Sequence, residues 1–239
     1  MAELSRDSEC PDSGKTIYAE LQKASKIFTS GNTRVIALQP TDLNLKKGEM
    51  MLIIGPSGSG KTTLLSLIGC VLYPTEGCVC INGVNTKNLN DREMARLRLR
   101  EIGFVFQNFN LVSPLNAEEN VMVPLLLKKA SKNEIKNKAE QALALVELTH
   151  RKKSLPKQLS GGEQQRVAIA RALVTDPPVI LCDEPTASLD SKSMETVMKE
   201  LRSLADMGKA VAVVTHDSRL KNYADKIVSI ENGQVTEIQ

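Results

Sequence analysis

The chain has 239 residues, 41% hydrophobic and 25% charged, with 31 lysines and arginines against 28 acids for a net charge of +3. That is the balance of a globular protein with room for a sizeable core, and it is too weak a charge to argue for nucleic acid. Aromatics are only 3% and tryptophan is absent, so stacking platforms for bases are not on offer, and no run approaches the ~18–20 apolar residues of a membrane span.

Residues 1–16 are rich in charge, serine and proline and read as a flexible arm without the basic and apolar regions of a signal peptide. Within it Ser13-Gly14-Lys15-Thr16 imitates a phosphate loop, but Glu9 stands where the first glycine is needed and no apolar strand precedes it. The five cysteines are Cys10, Cys70, Cys78, Cys80 and Cys182. Their odd number, with four in apolar segments, suggests buried thiols in a reducing, cytoplasmic compartment. Cys78 and Cys80 are spaced too closely for a zinc pair and share one face of a strand.

Residues 17–28 and 35–45 read as strands around the loop 29–32. Residues 50–54 are an apolar run that feeds Gly55-Pro56-Ser57-Gly58-Ser59-Gly60-Lys61-Thr62, and Thr63 opens a helical pattern to residue 68. This is G-x-x-x-x-G-K-[ST] in the strand–loop–helix context that it requires. Glycines let backbone N–H groups turn inward on phosphates, and the helix N-terminus adds partial positive charge. Lys61 is expected on the β- and γ-phosphates and the Thr62 hydroxyl on Mg²⁺. Residues 78–81 form a further strand before the Asn82-Gly83 turn, 91–100 a charged amphipathic segment, and 102–106 a short strand that runs into Gln107.

From about 108 to 159 leucine and alanine recur at helical spacing among lysine and glutamate, as at Ala139, Leu143, Val146 and Leu148, which predicts an inserted helical subdomain. The lysine-rich run 128–138 reads as a solvated helix face or loop. Residues 179–182 and 210–215 are fully apolar strands separated by a helix from about 191 to 206, and 227–230 and 234–238 close the chain as a hairpin around Asn232-Gly233. Apolar strands alternating with helices imply an α/β fold with a parallel sheet covered on both faces.

Two further signals carry chemistry. Ser160-Gly161-Gly162-Glu163 precedes a helical run and can make a second phosphate-facing helix start, or a simple cap. The apolar strand 179–182 ends in Asp183 and Glu184; Asp183 can hold Mg²⁺, and Glu184 lies where it can polarise a water in line with the γ-phosphate.

With these residues the chain resembles the nucleotide-binding subunit of an ATP-binding-cassette (ABC) transporter over about residues 17–239, with motifs in family order. Gly55 to Thr62 match Walker A, Gln107 the Q-loop, 159–163 the signature, 179–184 Walker B, Ser188-Leu189-Asp190 the D-loop and His216 the switch histidine. Glu163, where the family most often has glutamine, is similar to the lipoprotein-releasing and macrolide-exporter branch. So are Gly103 to Gln107, Glu119-Asn120-Val121 and Pro124-Leu125.

The resemblance implies a P-loop ABC ATPase fold: a RecA-like core with a parallel sheet and an antiparallel β subdomain over 17–107 and 160–239, and a helical subdomain over about 108–159. It implies ATP and Mg²⁺ as cofactors, with Gly55, Pro56, Ser57, Gly58, Ser59, Gly60, Lys61, Thr62 and Thr63 around the phosphates, and Thr62, Gln107 and Asp183 at the metal. Glu184 is then the general base and His216 a γ-phosphate contact, with Lys61 and Gln107 also in the catalytic set. Phe28 stands for the adenine-stacking aromatic, with Tyr18 as the alternative. Ser160, Gly161, Gly162 and Glu163 serve the ATP of a second copy, and Asp190 couples the two sites. The implied assembly is a head-to-tail homodimer on the cytoplasmic face of the membrane, driving a separate permease docked near 111–120, with no nucleic acid and no direct membrane insertion. A regulatory, division-type ATPase that transports nothing is the alternative reading. Repair and translation ATPases carry insertions or a second cassette that this sequence lacks, and a nucleotide kinase has no use for the Ser-Gly-Gly signature.

Overall fold

Two strands of 14 residues, β1 (Ile17–Ser30) and β2 (Thr33–Lys46), pair antiparallel, and with β4 (Glu76–Ile81) and β5 (Val84–Asn85) they make a sheet of order β2-β1-β4-β5. The computed structural model describes residues 16–239, apart from 188 and 190 and the side chains of 191, 192 and 218. The arm expected over 1–16, except Thr16, lies outside the described residues, as do Cys10, Ser188 and Asp190.

The second sheet grows from the apolar runs. β3 (Met50–Ile54), β7 (Val179–Asp183) and β8 (Ala210–Val214) are buried almost throughout, as parallel strands covered on both faces must be. With β6 (Ile102–Val105), β9 (Lys226–Glu231) and β10 (Gln234–Glu237) they take the order β10-β9-β3-β8-β7-β6; only β10, the hairpin return, runs antiparallel. Ile53 pairs with Val214 and Asp183 also pairs with Val214, so the segments that follow β3, β7 and β8 emerge at one edge. That edge, at the carboxyl ends of parallel strands, is where ligands of such sheets bind.

Side-chain alternation divides the strands between two cores. Met51, Ile53, Leu181, Ala212 and Val214 pack with Leu64, Leu65 and Ile68 of α1 (Lys61–Ile68), with Met94 and Leu97 of α2 (Asp91–Glu101), and with the inner face of the antiparallel sheet. Met50, Leu52, Cys182, Val211 and Val213 pack on the other side with α3 (Ala117–Leu127), α4 (Lys132–Leu145), α5 (Gly161–Leu173) and α6 (Ser191–Asp206).

Local chemistry fixes the ends of the helices. Asn90 and Asn116 cap α2 and α3 in full capping boxes with Glu93 and Glu119. Asn120, fully buried, joins Val112, Leu115 and Asn116 through its side-chain amide, which shapes the segment leading into α3. α4 ends at Leu145, so Val146 and Leu148 lie beyond the helix that their spacing suggested, although both are buried. Cys70 and Cys182 are buried free thiols, whereas Cys80 is disulfide-bonded, a departure from the expectation of thiols alone.

Candidate nucleotide site

The loop Gly55 to Gly60 leaves β3 and enters α1 through backbone conformations that L side chains rarely adopt, with φ of 150° at Gly55, 75° at Gly58 and 110° at Gly60. It is also threaded tightly. A Cβ at Gly60 would lie 2.3 Å from the Ala37 carbonyl oxygen of β2, and one at Gly55 would lie 2.2 Å from that of Ile230 on β9. The Gly233 amide of the closing hairpin donates to the Ser59 carbonyl at 2.9 Å. The two sheets and the hairpin thus hold the loop from outside.

No side chain caps α1 at Gly60, so the first-turn amides are left to the loop's interior. Lys61 turns back, and its Nζ donates to the carbonyls of Gly55 (2.9 Å) and Pro56 (2.8 Å). The Ser59 hydroxyl is buried without a hydrogen-bond partner. Pro56, Ser57 and Gly58 are exposed, and Thr63 is half-buried in the first turn. An uncapped helix start, an ammonium resting on weak neutral acceptors and an orphaned hydroxyl together fit a phosphate chain.

Thr62 donates its hydroxyl to Asp183 at 3.3 Å, joining positions 121 residues apart. Burial pushes the Asp183 carboxyl up, as does the charge of Glu184, while the Thr62 hydrogen bond and Lys61 act against them. A hydroxyl beside a carboxylate is an oxygen donor set of the kind that Mg²⁺ takes.

Glu184 follows with φ of 49° in the left-handed region, and its amide donates to the Val214 carbonyl of β8 at 3.0 Å. The turn swings its carboxylate to 3.0 Å from Nδ1 of His216, which leaves β8 one residue after buried Thr215. The carboxylate is mostly buried and the imidazole mostly exposed. At this distance an Nδ1–H would donate to the carboxylate, which fixes the tautomer that the pair requires.

Gln107 is exposed, two residues beyond β6, where Phe104 and Phe106 stack with ring centroids 4.2 Å apart. Among the described residues its side chain makes no hydrogen bond to the groups above. Phe28, 43% exposed near the end of β1, has the Lys26 ammonium 5.4 Å from its ring centroid, whereas Tyr18 packs against the core.

The signature stretch is built differently. Ser160 caps α5: its hydroxyl accepts from the Glu163 amide at 3.3 Å, and the Glu163 carboxylate accepts from the Ser160 amide at 2.8 Å. Arg151 adds an ion pair to Glu163 at 3.0 Å. The hydrogen bond from the Ser160 amide holds the Glu163 carboxyl below its usual range, with the Ser160 side chain and Arg151 acting the same way against burial. In the last turn of α5, Arg171 donates to the carbonyls of Phe109 and Asn110, both at 2.7 Å and both in the left-handed region, just beyond Gln107. Sequence reasoning assigned no role to Arg151 or Arg171. Each acts across an irregular segment, where no periodicity pairs partners.

A family model described as "ABC transporter" matches residues 38–187. The chain belongs to this family. An uncharacterized ABC transporter ATP-binding protein of Methanocaldococcus jannaschii, MJ0796, is 46% identical over 221 residues, 90% of this chain and 94% of its own length. A solved dimer of the ATP-binding cassette MJ0796, in a post-hydrolysis state bound to ADP and Pi, superposes with a TM-score of 0.86 at 43% identity, covering 92% of this chain and 99% of that one. The macrolide export ATP-binding/permease protein MacB of Wolinella succinogenes is 41% identical over 220 residues, 92% of this chain but only 34% of MacB. As an ABC cassette the chain is an ATPase with the expected α/β P-loop fold, and macrolide exporters are among its relatives, as the branch resemblance implies.

Proposed function

We propose that this cassette hydrolyses ATP as a head-to-tail homodimer and drives a separate membrane permease of the lipoprotein-releasing and macrolide-exporting type. The observation that carries this reading is the meeting, at one sheet edge, of Thr62 with Asp183 and of Glu184 with His216, directly beside the uncapped start of α1.

In this mechanism Lys61 exchanges the carbonyls of Gly55 and Pro56 for the β- and γ-phosphate oxygens of ATP, gaining charged acceptors for neutral ones. The amides of Gly58 to Thr63 cradle the phosphates, and Phe28 offers its exposed ring to adenine. Thr62, Asp183 and Gln107 would hold Mg²⁺, which supplies charge neutralisation on the phosphate oxygens when bound. Glu184 takes a proton from the attacking water, so that hydroxide adds to phosphorus as ADP leaves. His216 holds the Glu184 carboxylate in place and reaches the γ-phosphate from the exposed side of the pair.

Ser160, Gly161, Gly162 and Glu163 face the γ-phosphate of the ATP held by a second copy, and Asp190 couples the two sites. The MJ0796 dimer with ADP and Pi, at 43% identity, supports this arrangement. MacB, whose name joins an ATP-binding part to a permease, supports the choice of partner. No helix among the described residues is long and apolar enough to cross a membrane. In this reading the permease is a second polypeptide and the cassette sits on its cytoplasmic face. A cleft of about 620 Å³ between α2 and α3 has Arg92, Arg96, Phe104 and Leu127 on its walls, and we take it as the dock in place of residues 111–120, none of which lines it.

The test is Glu184→Gln. ATP binding should persist and the protein should sediment as a dimer with ATP and Mg²⁺, while turnover falls roughly a hundredfold or more, as for loss of a general base. Sedimentation as a monomer at saturating ATP overturns the dimer, and unchanged turnover removes Glu184 from its role. The same variant, used as bait in detergent-solubilised native membranes, should recover a four-helix permease with a large extracytoplasmic domain. A many-helix channel-like permease would discard the branch.

A further inference from the structure

A cavity of about 380 Å³ opens between α4, α5 and α6, and none of the nucleotide-site residues named above lines it. Its apolar walls are Leu145, Val146, Ile169, Leu173, Leu204 and Met207. Leu145 is 60% and Met207 74% exposed, so apolar surface reaches from water into the cavity.

Thr196, Lys199, Glu200 and Ser203 of α6 bring polar groups to that surface, and Glu200 is its one carboxylate. Glu200 of α6 lines the cavity, its Oε2 is wholly buried, and that oxygen has no hydrogen-bond partner. A desolvated carboxylate oxygen without a donor is among the costliest groups that a fold can retain. Burial pushes the Glu200 carboxyl up, with Arg166 of α5 acting against this and Glu147 adding to it. Neither neighbouring cation closes an ion pair with Glu200 among the described residues. Lys199 is held by Glu195 at 2.7 Å, and the Arg166 Nε is itself buried without a hydrogen-bond partner.

We infer that this cavity binds a small amphiphilic amine, its hydrocarbon body against the Leu145–Met207 wall and its ammonium on the Glu200 carboxylate. The size suits such a molecule, being at the small end of the ~300–1,000 Å³ of ligand pockets, and a few polar groups in a mainly apolar lining are how such pockets fix orientation; of those here Glu200 is the only acid, and Lys199 is held by Glu195. An acid of the same shape would meet Glu200 and Glu147 as like charges. An alcohol would fill the same walls but bring only a neutral donor to the carboxylate.

Methyl-resolved NMR titration of the full chain with hexylamine, hexanol and hexanoate tests this. Hexylamine should shift the Met207, Leu145 and Ile169 methyl signals saturably and bind roughly tenfold or more tightly than hexanol, with hexanoate weaker still. Glu200→Gln should remove the amine's advantage and leave hexanol affinity unchanged. Equal affinities for the three probes, no saturable shift at these methyls, or a Glu200→Gln chain that still prefers the amine each overturn the site. The wild-type affinities decide the matter on their own if the variant does not fold. Because Glu200 takes no part in the phosphate site, ATP turnover without amine should be unchanged in the variant, which separates this site from the nucleotide reading.

Discussion

Two helix starts in this molecule are candidates to face phosphate, and they are built in opposite ways. α1 begins at Gly60, in the left-handed region, with no side-chain cap and with its lysine turned onto its own loop. α5 begins at Ser160 in a complete capping box, with Arg151 on the same glutamate. The first is shaped by what presses on it from outside, namely Ala37, Ile230 and Gly233, and its own donors stay open. The second satisfies itself from within, so it keeps its form whatever stands opposite. A site that must envelop a phosphate chain needs open donors on a rigid frame, and a surface offered to another molecule needs to be finished in advance.

The sharpest way to break this comparison is to add one methyl group to each start. Gly60→Ala places a Cβ 2.3 Å from the Ala37 carbonyl at a φ of 110°, so nucleotide affinity should fall more than roughly a hundredfold or the chain should fail to fold, as read by nucleotide titration and circular dichroism. Gly162→Ala meets only ordinary contacts, Leu189 at 3.7 Å and Arg166 at 3.9 Å. Its stability should change by no more than about 0.5 kcal/mol and ATP binding should persist, while hydrolysis in the dimer falls. If both variants lose ATP binding alike, the two starts do not differ as described.

Next in size is Lys61→Ala. It removes the only side-chain cation that reaches into the loop among the described residues, and ATP affinity should drop by about two orders of magnitude in equilibrium binding. Normal affinity would sink the P-loop assignment.

Asp183→Asn sharpens the contrast in another way. The Asp183 carboxyl is raised in the fold, so its ionised form is disfavoured there, and the protein is less stable above that raised value than below it. Asparagine removes the charge, and Tm at neutral pH should rise by roughly 2 °C while hydrolysis is lost. The gain should fade as pH falls through the raised value and be gone below the ordinary 3.8, where wild-type Asp183 is protonated whether folded or unfolded. A lower Tm at neutral pH would show that the Thr62 bond outweighs desolvation.

The smallest effects belong to the finished start. Ser160→Ala should cost about 1 kcal/mol in chemical denaturation, the usual worth of an N-cap. Glu163→Gln keeps an oxygen for the Ser160 amide and loses only the Arg151 ion pair, so it should cost less than about 1 kcal/mol. Equal losses would mean that the ion pair, not the cap, holds the start of α5.

Much of this molecule was legible before any coordinate. The strand–loop–helix at residues 50–68 and the apolar strands ending at Asp183 and before His216 are contiguous patterns, and a contiguous pattern carries its own periodicity and turn chemistry. The β1–β2 pair, the closing hairpin and the helix from 191 to 206 were readable for the same reason. The exception is instructive: Val146 and Leu148 keep the helical spacing of Ala139 and Leu143 yet lie past the end of α4, because burial alone does not distinguish a helix from the turn that follows it.

By itself the sequence singled out the residues proposed for phosphate chemistry, since glycine, lysine, threonine and the strand-end acids must occur at set spacings to do that work. Only the tertiary structure decided which of them meet. Thr62 reaches Asp183, Glu184 reaches His216 and Arg151 reaches Glu163 because strand order, register and helix packing bring distant segments together. The same packing makes glycine obligatory at position 60, where the carbonyl of Ala37 leaves no room for a Cβ, and leaves Glu200 without a partner. Such contacts depend on where one element lies against another, and no run of neighbouring residues encodes that.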